Sequence, residues 1–322
     1  MYKRQDLGDV FGQDRARRAL EVAAAGMHNL LFTGPPGTGK TMLASRLPGI
    51  LPPLTEREAL EAAAVASVSQ GGLDLSRWGV RSFRAPHHTA SSAALVGGGS
   101  QPRPGEISLA HYGVLFLDEL PEFKRSVLEV LREPMESGHI VISRAACQAE
   151  FPARFQLIAA MNPCHCGFHG DKSGRCRCTA DQVDRYRGKI SGPLLDRIDM
   201  HVEVARPPRA ALNGHGQSPE DSATVRERVV AARRIQVERA GIPNAQMSNA
   251  QVREICRLSP PLERLLESVA DRMNLSPRAC QRILKVARSI ADLDRSTNIG
   301  EPHLAEAIAF RGLEGSQKPV VM

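Results

Sequence analysis

The segment Gly34-Pro35-Pro36-Gly37-Thr38-Gly39-Lys40-Thr41 constrains this chain more than any other, because of what flanks it. The apolar run 29–33 precedes it and a helical stretch, 42–47, follows. A buried strand therefore ends in a glycine-rich turn that opens onto a helix. Backbone N–H groups of such a turn converge on an anion, and the helix dipole adds positive potential there. Lys40 is long enough to reach β- and γ-phosphates, and the Thr41 hydroxyl suits a Mg²⁺ coordination position. The segment satisfies G-x-x-x-x-G-K-[ST] in its strand–loop–helix setting and points to ATP with Mg²⁺.

A second stretch agrees with the first. Val114-Leu115-Phe116-Leu117 reads as a strand buried on both faces, as in a parallel sheet covered by helices. It ends on Asp118 and Glu119, two carboxylates that are costly to bury without a cation. Beside a phosphate loop, Asp118 suits Mg²⁺ and Glu119 suits polarising a water. Standing alone, the pair would read equally well as the acidic start of a helix over 122–135. The run 155–161 is another buried strand, and Asn162 follows it at the same carboxyl edge, placed to orient a water or sense a phosphate. Isolated, Asn162 would read as a turn former.

The remaining chain divides into recognisable pieces. A helix is expected over 13–25, and another over 55–69 with Thr55 and Glu58 as a capping box. Residues 71–105 carry a short strand at Phe83-Arg84 and a long loop around Gly97-Gly98-Gly99. His87 and His88, adjacent in sequence, face opposite ways on a strand and suit a structural or surface role better than a metal pair. Residues 138–155 alternate like a hairpin with Arg144 near the tip. Cys164 and Cys166, then Cys176 and Cys178, form two C-x-C pairs in one loop, 164–178. Four thiolates suit a structural Zn²⁺, with His165 or His169 able to replace one; unpaired loop thiols and redox chemistry are the alternatives. Arg197 reads either as an ion-pair partner of Asp196 or Asp199 or as a charge donor to a neighbouring subunit's γ-phosphate. A linker over 207–221 separates the α/β part, 6–206, from a helical part, 222–322. There Ser276-Pro277-Arg278 gives an N-cap, a first-turn proline and a cation that opposes the helix dipole. Arg278 therefore faces either an anion or solvent.

Composition adds limits. With 42% apolar and 24% charged residues the chain has an ordinary globular make-up, and no run approaches the ~18 apolar residues of a bilayer span. No secretion signal is evident, so the cytoplasm is the expected compartment and clustered cysteines suggest metal before disulfides. The net charge of +7 permits a nucleic acid or an acidic protein as partner, while an aromatic content of 4% argues against extensive base stacking. Met1-Tyr2-Lys3-Arg4-Gln5 matches what the end of a sequencing-library adapter would encode and reads as a non-native leader, 1–5, to be set beside an ordinary short N-terminus.

Taken with Phe83-Arg84-Ala85-Pro86-His87-His88, Pro104-Gly105-Glu106-Ile107-Ser108-Leu109-Ala110-His111, Asn162-Pro163-Cys164 and Gly192-Pro193-Leu194-Leu195-Asp196-Arg197, the chain resembles the magnesium-chelatase-like ComM/YifB family of AAA+ ATPases over about residues 6–311. The resemblance implies a three-layer α/β core with a parallel sheet and a smaller all-α C-terminal lid. It implies Walker A at Lys40 and Thr41, Walker B at Asp118 and Glu119, and sensor 1 at Asn162. Arg197 looks like an arginine finger acting on the adjacent subunit of a hexamer. Arg278 looks like sensor 2, in cis or in trans, with 222–240 as a helix inserted before the lid. The segments 83–105 and 138–155 resemble the pore-facing elements of replicative minichromosome-maintenance helicases, with Arg144 on DNA phosphate; the alternative is that they only shape the ring. The family also carries an N-terminal domain resembling the Lon protease fold, which is not found in this sequence.

Three functions compete on these residues. The first is a hexameric DNA translocase or branch-migration helicase of recombination or natural transformation. The second is a chelatase- or chaperone-type ATPase that remodels a protein partner. The third, a nucleotide-gated scaffold, has no use for Glu119, Asn162 and Arg197.

Overall fold

The computed structural model describes residues 6–99, 102–144, 147–171, 174–207 and 219–311, with the side chains of Arg144 and Cys147 excepted. The expected leader, most of the expected linker and the hairpin tip at 145–146 lie outside the described residues.

Nine strands are present among them: β1 Leu30–Thr33, β2 Phe83–Arg84, β3 Gly97–Gly98, β4 Arg103–Pro104, β5 Val114–Leu117, β6 His139–Arg144, β7 Cys147–Pro152, β8 Gln156–Met161 and β9 Met200–Glu203. Five build the main sheet, in the order β2-β5-β8-β1-β9. Every residue of β1, β5 and β8 is buried, as expected of unbroken apolar runs covered on both faces. The β2–β5 and β5–β8 pairs are parallel, with Val114 opposite Gln156 and Leu117 opposite Ala159. In this order β1 stands between β8 and β9. With helices flanking the sheet and a helical C-terminal part, the chain is an α/β protein of the expected class.

The chain separates into two compact units. One comprises 33–48 and 53–197. In it, helix Glu56–Ser67 starts in a capping box, Thr55 Oγ1 accepting from Glu58 N and the Glu58 carboxylate from Thr55 N. Arg84 grips Glu106 with two hydrogen bonds of 2.6 Å, closing the base of the excursion that holds β3 and β4. The expected hairpin is present, β6 pairing antiparallel with β7 from His139 opposite Pro152 to Arg144 opposite Cys147.

The helix expected over 122–135 is not continuous. A 3-10 turn, Leu120–Glu122, is followed by helices Arg125–Glu129 and Arg132–Ser137. Phe123 and Lys124 adopt extended ψ values of 145° and 138°, which ends the first turn. Pro134 then has no N–H to offer the Val130 carbonyl, and the ladder breaks there.

The other unit comprises the described parts of 1–32, 49–52 and 198–322. Helix Asp14–Gly26 turns a buried alanine-rich face toward Ser222–Ala240 and Pro277–Leu293. The last begins where the residues predict, Ser276 Oγ accepting from Ala279 N at 3.1 Å with Pro277 in the first turn. Buried Asp292 is satisfied by Arg239, Arg288 and Asn244. No strand is found among the described residues of 219–311, and no helix there or elsewhere among them is long and apolar enough to cross a membrane.

Candidate nucleotide-binding site

The glycine turn after β1 is built as its composition requires. Gly39 holds φ +90°, a left-handed backbone that side chains rarely adopt, and helix Lys40–Ala44 starts immediately after it. Thr38 Oγ1 donates to Pro35 O at 3.0 Å and tightens the turn. The Lys40 side chain is buried, and its ammonium donates to Gly34 O at 2.7 Å, Pro35 O at 2.9 Å and Asn162 Oδ1 at 3.1 Å. Burial lowers the Lys40 pKa from its ordinary value, and the carboxylates of Asp118 and Glu119 partly offset that.

The carboxyl end of β5 meets this turn. Thr41 Oγ1 donates to Asp118 Oδ2 at 2.6 Å, and Asp118 Oδ1 accepts from Glu119 N at 2.9 Å. Two hard oxygens so close suit Mg²⁺, whose octahedral sites take hydroxyl and carboxylate donors with water completing the shell. Glu119 stands at φ 53° and ψ 47°, a left-handed conformation uncommon outside glycine and often found at functional positions. Its carboxylate lies 3.2 Å from His88 Nδ1. His88 in turn packs against His87, the two rings tilted by 34° with 4.1 Å between their centres. Nothing in the residues of 83–88 signalled this contact; only the pairing of β2 with β5 brings the two strand ends together.

A second cluster stands beyond Asn162. The Sγ atoms of Cys164, Cys166, Cys176 and Cys178 all lie within 4.8 Å of one another. Measured separations are 3.4 Å for Cys164–Cys166, 3.6 Å for Cys166–Cys176 and 3.9 Å for Cys164–Cys176. A tetrahedron with metal–sulfur bonds of ~2.3 Å has edges of about 3.8 Å, so the donor set fits Zn²⁺. Backbone N–H groups of Arg177 and Phe168 pull the Cys166 thiol down to about 6. Cys178 gains a lowering backbone contact from Cys166, yet bonding to the Cys166 sulfur pushes it up to about 11. Neither His165 nor His169 joins the group: His165 packs edge-on to Tyr186, and the His169 backbone donates to Cys164 Sγ at 3.3 Å.

Residues 6–212 match the sequence family described as magnesium chelatase, subunit ChlI, and residues 219–311 match the C-terminal family of the same subunit. The chain belongs to the magnesium-chelatase ChlI family. It is 53% identical to the competence protein ComM of Haemophilus influenzae over 96% of its own length and 60% of that protein. It is 50% identical to YifB of Escherichia coli over 96% of its length and 61% of that protein. The chain thus spans about three-fifths of the length of these relatives. A 67 kDa magnesium-chelatase subunit of Heliobacterium mobile is 25% identical over 76% of this chain and 39% of that protein.

Other expected site residues of this magnesium-chelatase-family chain are placed as follows. Arg197 is one-tenth exposed, donates to Pro193 O at 2.7 Å, and pairs with Glu136 at 2.6 Å. Asp199 takes Arg282 at 2.5 Å and Asn29 N at 2.8 Å. Arg278 is exposed in the first turn of helix Pro277–Leu293, in the other compact unit. Arg144 closes the β6–β7 ladder through its backbone, while the side chain expected on DNA phosphate lies outside what is described.

Proposed function

We propose that this chain is the ATP-hydrolysing part of a hexameric ring that moves DNA, in recombination or natural transformation. The observation that carries the ATPase reading is the convergence of Thr41 with Asp118 and of Lys40 with Asn162 at one sheet edge, beside Glu119. In this reading Gly34, Pro35, Pro36, Gly37, Thr38 and Gly39 wrap the phosphates, and Lys40 neutralises the β- and γ-oxygens. Thr41 and Asp118 hold Mg²⁺, which supplies charge neutralisation on those oxygens. Glu119 takes the proton of the attacking water, and Asn162 orients that water. Arg197 exchanges Glu136 for the γ-phosphate of the adjacent subunit, and Arg278 serves as sensor 2. The nucleotide-binding part comprises 6–206 and the lid 222–322, and the cytoplasm is the working compartment.

Support for the DNA reading comes from the net charge of +7, the two insertions at 83–105 and 138–155, and the name of the competence relative. A second reading, remodelling of a protein partner, draws on the similarity to a magnesium-chelatase subunit. For the cysteine cluster we propose a structural Zn²⁺, because four thiolates close its coordination sphere.

ATP turnover of the full-length protein with and without forked and branched DNA, across a salt series, tests the choice. Stimulation that fades steeply with salt is the expected result. No DNA response, together with stimulation by a protein partner, selects the second reading.

A further inference from the structure

The segment that carries the four cysteines approaches the phosphate loop in two places, at Asn162 and at Gly167. Only Pro163 separates Asn162 from Cys164. Asn162 Oδ1 accepts from the Lys40 ammonium at 3.1 Å, so the sulfur loop begins two residues beyond a direct partner of the phosphate-binding lysine.

The same loop then returns onto the glycine turn. Gly167 holds φ +83°, and a Cβ built there would stand 2.7 Å from Pro36 Cδ, 3.2 Å from Pro36 Cγ and 3.8 Å from Asn162 Cγ. A side chain would collide, so the bare backbone of Gly167 packs on Pro36, inside the phosphate-binding segment. Cys164 fixes this return: its carbonyl accepts from Gly167 N at 3.0 Å and its sulfur from His169 N at 3.3 Å.

No helix or strand is assigned to the described residues between β8 and helix Ala180–Arg187. Ordering backbone costs ~1–2 kcal/mol per residue, and a segment without a ladder has few hydrogen bonds to offset it. The cross-link that can offset it is the tetrahedral donor set, which ties the strand-side pair Cys164 and Cys166 to the helix-side pair Cys176 and Cys178. On the helix side, Arg187 Nε donates to Pro163 O at 3.2 Å and closes the same loop.

We infer that a metal ion held by Cys164, Cys166, Cys176 and Cys178 braces the phosphate loop through Gly167 and Asn162, so that metal occupancy and nucleotide affinity are coupled. This rests on the zinc reading above and extends it from a structural ion to one that sets nucleotide affinity. Coupling of this kind is reciprocal: whatever factor the metal contributes to nucleotide affinity, the nucleotide contributes to metal affinity.

The test uses the full chain. Zinc is counted by elemental analysis, and Mg·ADP affinity is measured by calorimetry on the zinc-loaded protein, the chelator-stripped protein and the reloaded protein. In parallel, zinc affinity is measured with and without saturating Mg·ADP. The expected result is one zinc per chain, a loss of about fivefold or more in nucleotide affinity on stripping, recovery on reloading, and the same factor in the zinc titration. Co²⁺ replaces zinc in a third arm, where Mg·ADP is expected to shift the visible bands of the tetrahedral thiolate site. Should stripping unfold the protein, Gly167→Ala keeps all four thiols while pressing on Pro36. It is expected to retain one zinc and lose nucleotide affinity by a similar factor. Stoichiometric zinc with nucleotide affinity unchanged by stripping and by Gly167→Ala, and with unmoved cobalt bands, overturns the brace and leaves the zinc reading intact. Less than half a zinc per chain overturns both.

Discussion

His88 Nδ1 lies 3.2 Å from Glu119 Oε2, joining the segment that follows β2 to the carboxylate that follows β5. In the proposed reaction the Glu119 carboxylate must leave this contact to reach the attacking water. His88→Ala is therefore expected to raise basal turnover, by up to about tenfold, the rate equivalent of ~1.4 kcal/mol. Mg·ATP affinity should not move. Steady-state kinetics beside equilibrium nucleotide binding check both parts, and a drop in turnover would refute the expectation.

Lys40 and Glu119 should fail differently. The Lys40 ammonium is buried and aimed into the glycine turn, so Lys40→Ala is expected to weaken nucleotide binding by about 100-fold or more. Glu119→Gln retains shape and hydrogen bonding and should bind normally while turnover falls by about 100-fold. Calorimetry and single-turnover hydrolysis separate the two; normal turnover in Glu119→Gln would remove that residue from the proposed chemistry.

Arg197 offers a test of shared sites. Its guanidinium is held by Pro193 O and Glu136, within its own chain. Arg197→Ala is expected to bind ATP normally and lose about 1,000-fold in hydrolysis. Mixing it with Lys40→Ala subunits should restore part of the activity, because some interfaces then combine an intact arginine with an intact phosphate loop. Glu136→Gln controls for the broken ion pair and should retain most of the rate. Absence of rescue in a mixture shown to co-assemble would count against the arrangement.

Acid stability should report on Asp199. Burial alone would raise its pKa, but the Arg282 guanidinium and His28 hold it well below the usual carboxylate range. A depressed folded value means the stabilisation is complete above the unfolded value of about 3.9 and is lost as pH falls through the lower folded one. Denaturant melts are thus expected to show a steep decline below about pH 4 that Asp199→Asn flattens. At neutral pH that variant, which leaves Arg282 facing a neutral amide, should cost about 3 kcal/mol. An unchanged acid limb would dismiss Asp199 as its source.

Contiguous patterns made much of the architecture legible. The apolar runs of β1, β5 and β8, the capping residues Thr55 and Ser276, and the alternation of β6 and β7 each act through neighbours a few residues away. The glycine turn was legible for the same reason. What escaped was through-space. His88 and Glu119 are brought together by strand pairing, and Arg197 pairs with Glu136, a residue far from it in sequence. The break at Pro134 was readable in principle, but the strong helical pattern around it outweighed one proline. The C-x-C spacing left the ligand set open between cysteine and histidine, and only the sulfur positions favour four cysteines.

The two-pronged grip of Arg84 on Glu106 makes the excursion between them a handle fastened at both feet. Whatever is added to or trimmed from residues 85–105, the gap to be closed stays the width of one ion pair. Doubling such a loop costs only ~0.6 kcal/mol in closure entropy. Evolution can therefore reshape what this handle grasps while the sheet beneath it keeps its form.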